Sequence, residues 1–250
     1  MKLNNPFETH KISHLSPSSI NSFIADPCQW TMRYLFNVRE KSGVGAIRGT
    51  TLEYVQNEKL KNDFFDYDLL EQHFTKLCVE QDIDLSDAKT LKEQDALIKY
   101  GSIIDLNFNF HGLEQYQQKI ELNFEDLPVP ILGYIDFIFN DIIVDLKTTN
   151  RMPSKPTNGQ LRQMAFYSMG YTDKEVQLFF VSPREHKQFT LTKNDIEYNS
   201  KTLLEGAFTI QRFLSLSDDR NELASFIYPN FDKWEWSELM KNEAKKIWRI

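Results

Sequence analysis

The stretch that most restricts how this chain can fold runs from residue 133 to 149: Gly-Tyr-Ile-Asp-Phe-Ile-Phe-Asn-Asp-Ile-Ile-Val-Asp-Leu-Lys-Thr-Thr. Two runs rich in β-branched and aromatic residues flank Asn140-Asp141, a dipeptide that tolerates the positive φ angles of a two-residue hairpin turn. With that turn, Asp136 falls opposite Asp145 and Tyr134 opposite Lys147. Side chains alternate along a strand, so Asp145 and Lys147 share one face and Asp136 joins them from the neighbouring strand. The other face carries Ile135, Phe137, Phe139, Ile142, Val144 and Leu146, all apolar. Two carboxylates set face to face repel one another, and a cation between them relieves the repulsion. The hairpin therefore predicts a metal site.

A chain of 250 residues can bury a full-sized core, and we read it as a single domain, 1–250. Hydrophobic content of 41% with 13% aromatics excludes a disordered chain. No apolar run approaches the roughly 20 residues of a membrane span, and Met-Lys-Leu-Asn-Asn-Pro-Phe-Glu at the start lacks the apolar segment of a secretory signal. Cys28 and Cys78 have no metal-ligand spacing and read as free thiols in a reducing, cytoplasmic compartment.

The net charge of −7 opposes a nucleic-acid partner, since phosphate binding draws on Lys and Arg. A local basic groove can nevertheless coexist with acidic faces. Segment 33–48 carries Arg33, Arg39, Lys41 and Arg48 against Glu40 alone, and segment 147–162 carries Lys147, Arg151, Lys155 and Arg162 with no acid. Each is either a solvated face or a phosphate-binding strip.

Along the chain, 1–14 reads as a loosely held polar arm. Ser16-Pro17 starts a helix, and Asp26-Pro27 ends it and starts a second, to about Asn37. A third follows Lys41-Ser-Gly-Val-Gly45, from about Ala46 to Lys61, completing an N-terminal helical unit over 15–61. Residues 64–110 read as a helical insertion broken near 82–84. A βββαβ core spans 114–192, with strands near 117–124, 131–139, 142–148, 175–181 and 187–191, and a helix from about Gly159 to Met169. Thr192, with Asp195 three residues on, opens a long helix to about Leu216 within the C-terminal helical unit 193–250. An amphipathic helix from Trp234 to Ile250 closes it. This order predicts an α/β fold, a central mixed sheet flanked by helices.

Asp136, eight intervening residues and then Asp145-Leu-Lys147 resemble the PD-(D/E)XK nuclease signature. Gln163-Met-Ala-Phe-Tyr167 is similar to the Gln-x-x-x-Tyr motif of the RecB-type branch, which includes helicase–nuclease repair subunits and a CRISPR-associated exonuclease. Leu15-Ser-Pro-Ser-Ser-Ile-Asn-Ser-Phe-Ile24 resembles the opening helix of that branch. Asp-x-Lys alone has no specificity; the joint pattern has. The sequence departs from the branch twice. Its usual Gly-x-x-x-His motif reads Gly49-Thr-Thr-Leu-Glu53 here, exchanging an imidazole for an oxygen ligand suited to a hard cation. Many relatives also hold an iron–sulfur cluster on four cysteines, one at a Cys-Pro step and three near the C-terminus. Here Asp26 precedes Pro27, and two cysteines cannot supply four ligands, so no iron–sulfur cluster is expected.

The resemblance implies a restriction-endonuclease-like core and a DNA nuclease, an exonuclease of repair, recombination or phage-type DNA processing, with DNA ends as substrate and a helicase or recombination protein as partner. It implies Mg²⁺ or Mn²⁺ held by Asp136, Asp145, Glu53 and the backbone carbonyl of Leu146. Hydrolysing a phosphodiester needs a nucleophilic water, a Lewis acid and stabilisation of charge on the phosphorus oxygens. Lys147, kept protonated by its acidic neighbours, would orient the water and neutralise the oxyanion. Gln163 and Tyr167, one helical turn apart, would position a phosphate or the terminal nucleotide. Arg48, Arg151, Lys155 and Arg162 would contact the DNA backbone, and Tyr134 would stack on a base or sugar. Two further readings remain: a catalytically silent nuclease-fold module that binds DNA or protein, and a restriction-type endonuclease.

Overall fold

The computed structural model describes residues 5–233 and 236–250. In chain order it comprises α1 (Pro6–Thr9), α2 (Pro17–Ala25), α3 (Pro27–Tyr34), α4 (Val44–Asn62), α5 (Tyr67–Glu80), α6 (Ala88–Asn107), β1 (Leu113–Leu122), β2 (Ile131–Phe139), β3 (Ile142–Thr148), α7 (Asn158–Gly170), β4 (Glu175–Val181), β5 (His186–Thr190), α8 (Lys193–Leu214), α9 (Arg220–Ser225) and α10 (Glu238–Trp248). No helix among the described residues is long and apolar enough to cross a membrane.

Apart from α4, which starts at Gly43 without a side-chain cap, the helices begin where polar side chains satisfy the free N–H groups of a first turn. Ser16 and Ser19 form a reciprocal capping box on α2, as do Thr157 and Gln160 on α7 and Thr192 and Asp195 on α8. Asp26 closes α2 and caps α3, and α3 stops at Tyr34, short of the expected Asn37. The insertion is two helices, α5 and α6, with the break in the expected place. Two expectations are corrected. The N-terminal arm is not loose from Asn5 onward: Asn5 caps α1, and Phe7 is completely buried. The last helix begins at Glu238, while Trp234, its expected start, lies outside the described residues.

The strands form one mixed sheet of order β1-β2-β3-β4-β5. Neighbours are antiparallel except β3 and β4, which run parallel. A parallel pair needs a crossover, and α7 provides it. One face of the sheet packs with α2, α3, α7 and α8, through residues such as Ile20, Trp30, Phe166 and Ile210. The other packs with α4, α5 and α6, through Leu52, Phe74 and Ile104. Strands covered on both faces become nearly continuous apolar runs. In β4 accordingly Val176, Leu178 and Phe180 enter the first core, while Phe179 and Val181 enter the second.

The hairpin keeps the expected register only next to its turn, where Phe137 pairs with Val144 and Ile138 with Ile143. Beyond these two pairs β2 and β3 splay apart, so Asp136 and Asp145 are not a backbone-paired couple. The expected faces are corrected as well. Ile135 does not share a face with Phe137 and Phe139; it joins Ile131 in the first core, whereas the two phenylalanines lie in the second. The inversion has a visible cause in β1. Gln117 adopts a left-handed φ of 50° between the pairs Gln118↔Ile135 and Tyr116↔Phe137. Both strands change faces at that point: Ile120 packs in the first core and Tyr116 against the second. Asp136 sits at the bend.

Candidate active site

The splay between β2 and β3 leaves backbone groups that would otherwise join a ladder, and Asp136 uses one of them. Its Oδ2 accepts the Leu146 N–H at 3.1 Å, which holds the carboxylate beside β3. Asp145 is completely buried. The Lys147 ammonium lies 2.6 Å from Asp145 Oδ2, an ion pair made at an angle too poor for a directed hydrogen bond. The two residues share the face toward α7, as strand alternation requires.

From α7, Gln163 Nε2 donates to Asp145 Oδ1 at 3.4 Å and to the Tyr167 hydroxyl at 2.7 Å, and that hydroxyl donates to the Tyr134 carbonyl at 2.6 Å. Gln163 and Tyr167 thus stitch α7 to both splayed strands. Gly133 permits the close approach: a Cβ there would sit 2.9 Å from the Phe166 ring and 3.0 Å from that of Tyr167. From the opposite layer α4 brings Glu53. Gln117 Nε2 donates to Glu53 Oε2 at 3.3 Å and to Asp136 Oδ1 at 3.4 Å. Gln117 escaped the sequence reading. Nothing in its residue type marks it, and only the β1–β2 register places it across from Asp136.

Packing three acids together has electrostatic consequences. Burial, followed by the charges of Asp145 and Glu53, raises the Asp136 pKa well above the ordinary carboxylate value. Burial and then Asp145 push Glu53 up to about 7. Burial works against the Lys147 cation, but Asp145 and Asp136 outweigh it and hold its pKa above the usual lysine value. Burial, then Asp145, raises Tyr167, so its hydroxyl stays protonated and able to donate. The site is an excess of negative charge with one fixed cation in it.

That donor set suits a hard divalent ion, which takes carboxylate and carbonyl oxygens and retains water. Asp136 and Asp145 present buried carboxylates from adjacent strands. Among the described residues, no three carboxylate, imidazole or thiol groups are already grouped as a ready-made ligand cluster. Glu53 is tied to Asp136 through the Gln117 amide rather than assembled beside the two aspartates.

Other expected contacts fall elsewhere. Arg48 is not a DNA-contacting side chain: it is buried, ion-paired to Glu93, stacked 4.5 Å from the Tyr100 ring centroid, and bonded to Thr148 and Asn150 at 3.3 Å. Arg162 is likewise buried, its Nε donating to Asn21 Oδ1 at 2.6 Å. Both guanidiniums fasten helices. Arg151 and Lys155 are exposed on the β3–α7 loop, and Tyr134 is 56% exposed. The Leu146 side chain is buried in the second core, and its N–H serves Asp136.

The same architecture occurs in a crystal structure from Eubacterium rectale of a protein named as a candidate exonuclease. It aligns over 97% of this chain and 93% of its own, with a TM-score of 0.58 at 13% identity. A structure of a protein named SSO0001 aligns over 74% of this chain and 84% of its own, at 14% identity and a TM-score of 0.33. No protein of curated function matches by sequence. The family model of the PD-(D/E)XK nucleases, enzymes that generally use divalent metal ions, matches residues 14–246. Those residues include every element of the site, and the chain belongs to the PD-(D/E)XK nuclease superfamily.

Proposed function

We propose that this chain is a Mg²⁺- or Mn²⁺-dependent deoxyribonuclease, an exonuclease of the RecB-type branch acting on DNA ends in repair, recombination or phage-type DNA processing. One observation carries the reading. Asp136, Asp145 and Lys147 meet in the gap between two splayed strands, with Gln163 and Tyr167 spanning that gap from α7. A structural salt bridge would need neither the third acid nor the splay.

Asp136 and Asp145 would hold the ion, with Glu53 and the Leu146 carbonyl completing its protein ligands. Bound there, a divalent ion supplies Lewis acidity and a lowered pKa for a coordinated water. The remaining duties fall to the chain. Lys147 stays protonated and donates to the oxygen on which charge develops. Gln163 orients the Asp145 carboxylate through Oδ1, and the Tyr167 hydroxyl fixes Gln163 against the Tyr134 carbonyl. Tyr134, Arg151 and Lys155, all exposed, would meet the substrate backbone and its terminal base.

The test is incubation with end-labelled single- and double-stranded DNA, one terminus blocked, in Mg²⁺ or Mn²⁺. Mononucleotide release from the free terminus supports an exonuclease; internal fragments support a restriction-type endonuclease. Cleavage that persists unchanged in Lys147→Ala sinks the proposed site. Absence of cleavage with either metal points to a catalytically silent binding module.

A further inference from the structure

We propose that a groove between α6 and the β4–β5 turn binds the phosphate backbone of the substrate strand as it leaves the active site. This rests on the nuclease reading above and gives it a substrate path. The groove has a volume of about 680 Å³ and is walled by Lys92, Asp95 and Lys99 of α6 and by Arg184 of the turn, with Glu93 and Asn150 beneath. Because β3 and β4 run parallel, they finish at the same end of the sheet. Lys147 is near that end of β3 and Asn150 is three residues further on. At about 3.3 Å per extended residue, the backbone at Asn150, where the groove begins, lies within roughly 10 Å of the Lys147 backbone; the Lys147 side chain faces α7, so a strand reaching the groove passes around this end of the sheet.

Its charge contrasts with that of the whole protein. Lys92, Lys99 and Arg184 are exposed, and among the described residues none lies within ion-pair distance of a carboxylate. Glu93 would cancel one of them, but it is buried and ion-paired to Arg48. Asp95 is the one free acid on the wall. A chain of net charge −7 thus keeps a locally cationic channel beside an anionic catalytic site, which local charge placement allows whatever the global sum.

The floor is stiff. Asn150 Oδ1 accepts from the Tyr100 hydroxyl at 2.8 Å and from Arg48 at 3.3 Å. The buried arginine that does not touch DNA therefore holds the groove in shape. Lys92 and Lys99 are two helical turns apart, about 10 Å along the axis, a span that covers about three nucleotides of one strand. No aromatic side chain lines the groove, so it has no surface for stacking bases. Binding would be to phosphates and independent of sequence.

The test measures affinity for labelled DNA, single-stranded and duplex, by fluorescence anisotropy between about 50 and 200 mM salt. It uses the Lys147→Ala background with Mg²⁺ so that the substrate survives. Replacing Lys92, Lys99 and Arg184 together by Ala should weaken binding at least tenfold at the lowest salt. It should also flatten the log–log salt slope by about 2.7 for duplex or about 2 for single strands. All three side chains are exposed, and an unchanged melting temperature shows that the fold is intact. Lys193→Ala/Lys201→Ala, on the far layer, should leave affinity and slope nearly unchanged. Equal slopes for the triple variant and its parent overturn the groove alone. A parent that binds no DNA overturns the groove together with the nuclease reading.

Discussion

Two of the places where this protein buries carboxylates treat them in opposite ways. Asp26, between α2 and α3, is fully provided with donors. Its Oδ1 accepts from the N–H groups of Cys28 at 3.0 Å and Gln29 at 3.3 Å, while Oδ2 accepts from Trp236 Nε1 at 3.2 Å and lies 3.3 Å from Lys233 Nζ. It stands where the family resemblance places a cluster cysteine, and it joins the first helices to the C-terminal segment by hydrogen bonds. Asp136 and Asp145 have fewer donors and each other's company, with Glu53 close by. A buried acid surrounded by donors holds structure together; acids crowded against one another leave charge for a ligand to neutralise.

The comparison breaks most sharply on catalysis. Lys147→Ala should lower cleavage by roughly 10²- to 10³-fold, the usual cost of losing one donor to a developing oxyanion, and in chelator it should also lower Tm, because it leaves the buried Asp145 carboxylate without its cation. Asp145→Asn should do at least as much damage. Initial rates on end-labelled DNA measure both. If Asp26→Ala were to cost the same activity at a temperature where it remains folded, the division between the two acid sites would be wrong.

Asp26→Ala comes next, and its effect belongs to stability. It removes an N-cap, worth about 1 kcal/mol, and orphans the buried Trp236 indole N–H, worth about 1–3 kcal/mol. We expect a loss of about 2–4 kcal/mol, read as a fall of roughly 4–16 °C in Tm for a chain of this size. Asp26→Asn should recover part of the cap.

The contrast between these sites also explains what could be read from the sequence. Ser16-Pro17, Asp26-Pro27 and Thr192 with Asp195 announce helix starts through chemistry contained within four residues, and the structure has all three. Asn140-Asp141 announces its turn in the same local way. The splay of β2 from β3 has no local signal, because it arises from β1 bending at Gln117 and from α7 descending on Gly133. The face assignment of Ile135 failed for that reason. Arg48 and Arg162 failed for another: a run of positive charge says nothing of which side chains are buried, and Glu93 and Asn21, their partners, lie far away in sequence. The role of Asp26 as a tie to Trp236 was equally invisible, across 210 residues.

A third test uses proton linkage. Glu53 releases its proton near 4.5 in an unfolded chain and near 7 in the folded one, and Asp136 is shifted in the same direction. Between those values the folded state binds more protons than the unfolded state, so this contribution to stability declines as pH rises. In chelator, Tm should be higher near pH 5 than near pH 8. A divalent ion should reduce or reverse the difference by binding the deprotonated carboxylates. In Asp136→Asn both the pH trend and the response to metal should shrink. A trend unchanged in that variant would assign it to other groups.

The smallest expected effect is at Gln117, and it asks whether the crowding at the site is shaped by the fold or by the acids alone. The Gln117 amide donates to Glu53 and Asp136 at once, and its backbone takes a left-handed φ of 50°, a conformation that costs little only for glycine and asparagine. Two substitutions separate the two roles. Gln117→Gly relieves the backbone and removes the amide; Gln117→Asn keeps a left-handed backbone and a shorter amide. If the bridge positions the acids, both variants should be as stable as the parent or slightly more so, and Gln117→Gly should bind Mn²⁺ several-fold more weakly by titration calorimetry. If Gln117→Gly binds Mn²⁺ as the parent does, the bend in β1 suffices to place Asp136 and the amide is incidental. Either result sharpens the contrast with Asp26, whose contacts serve stability.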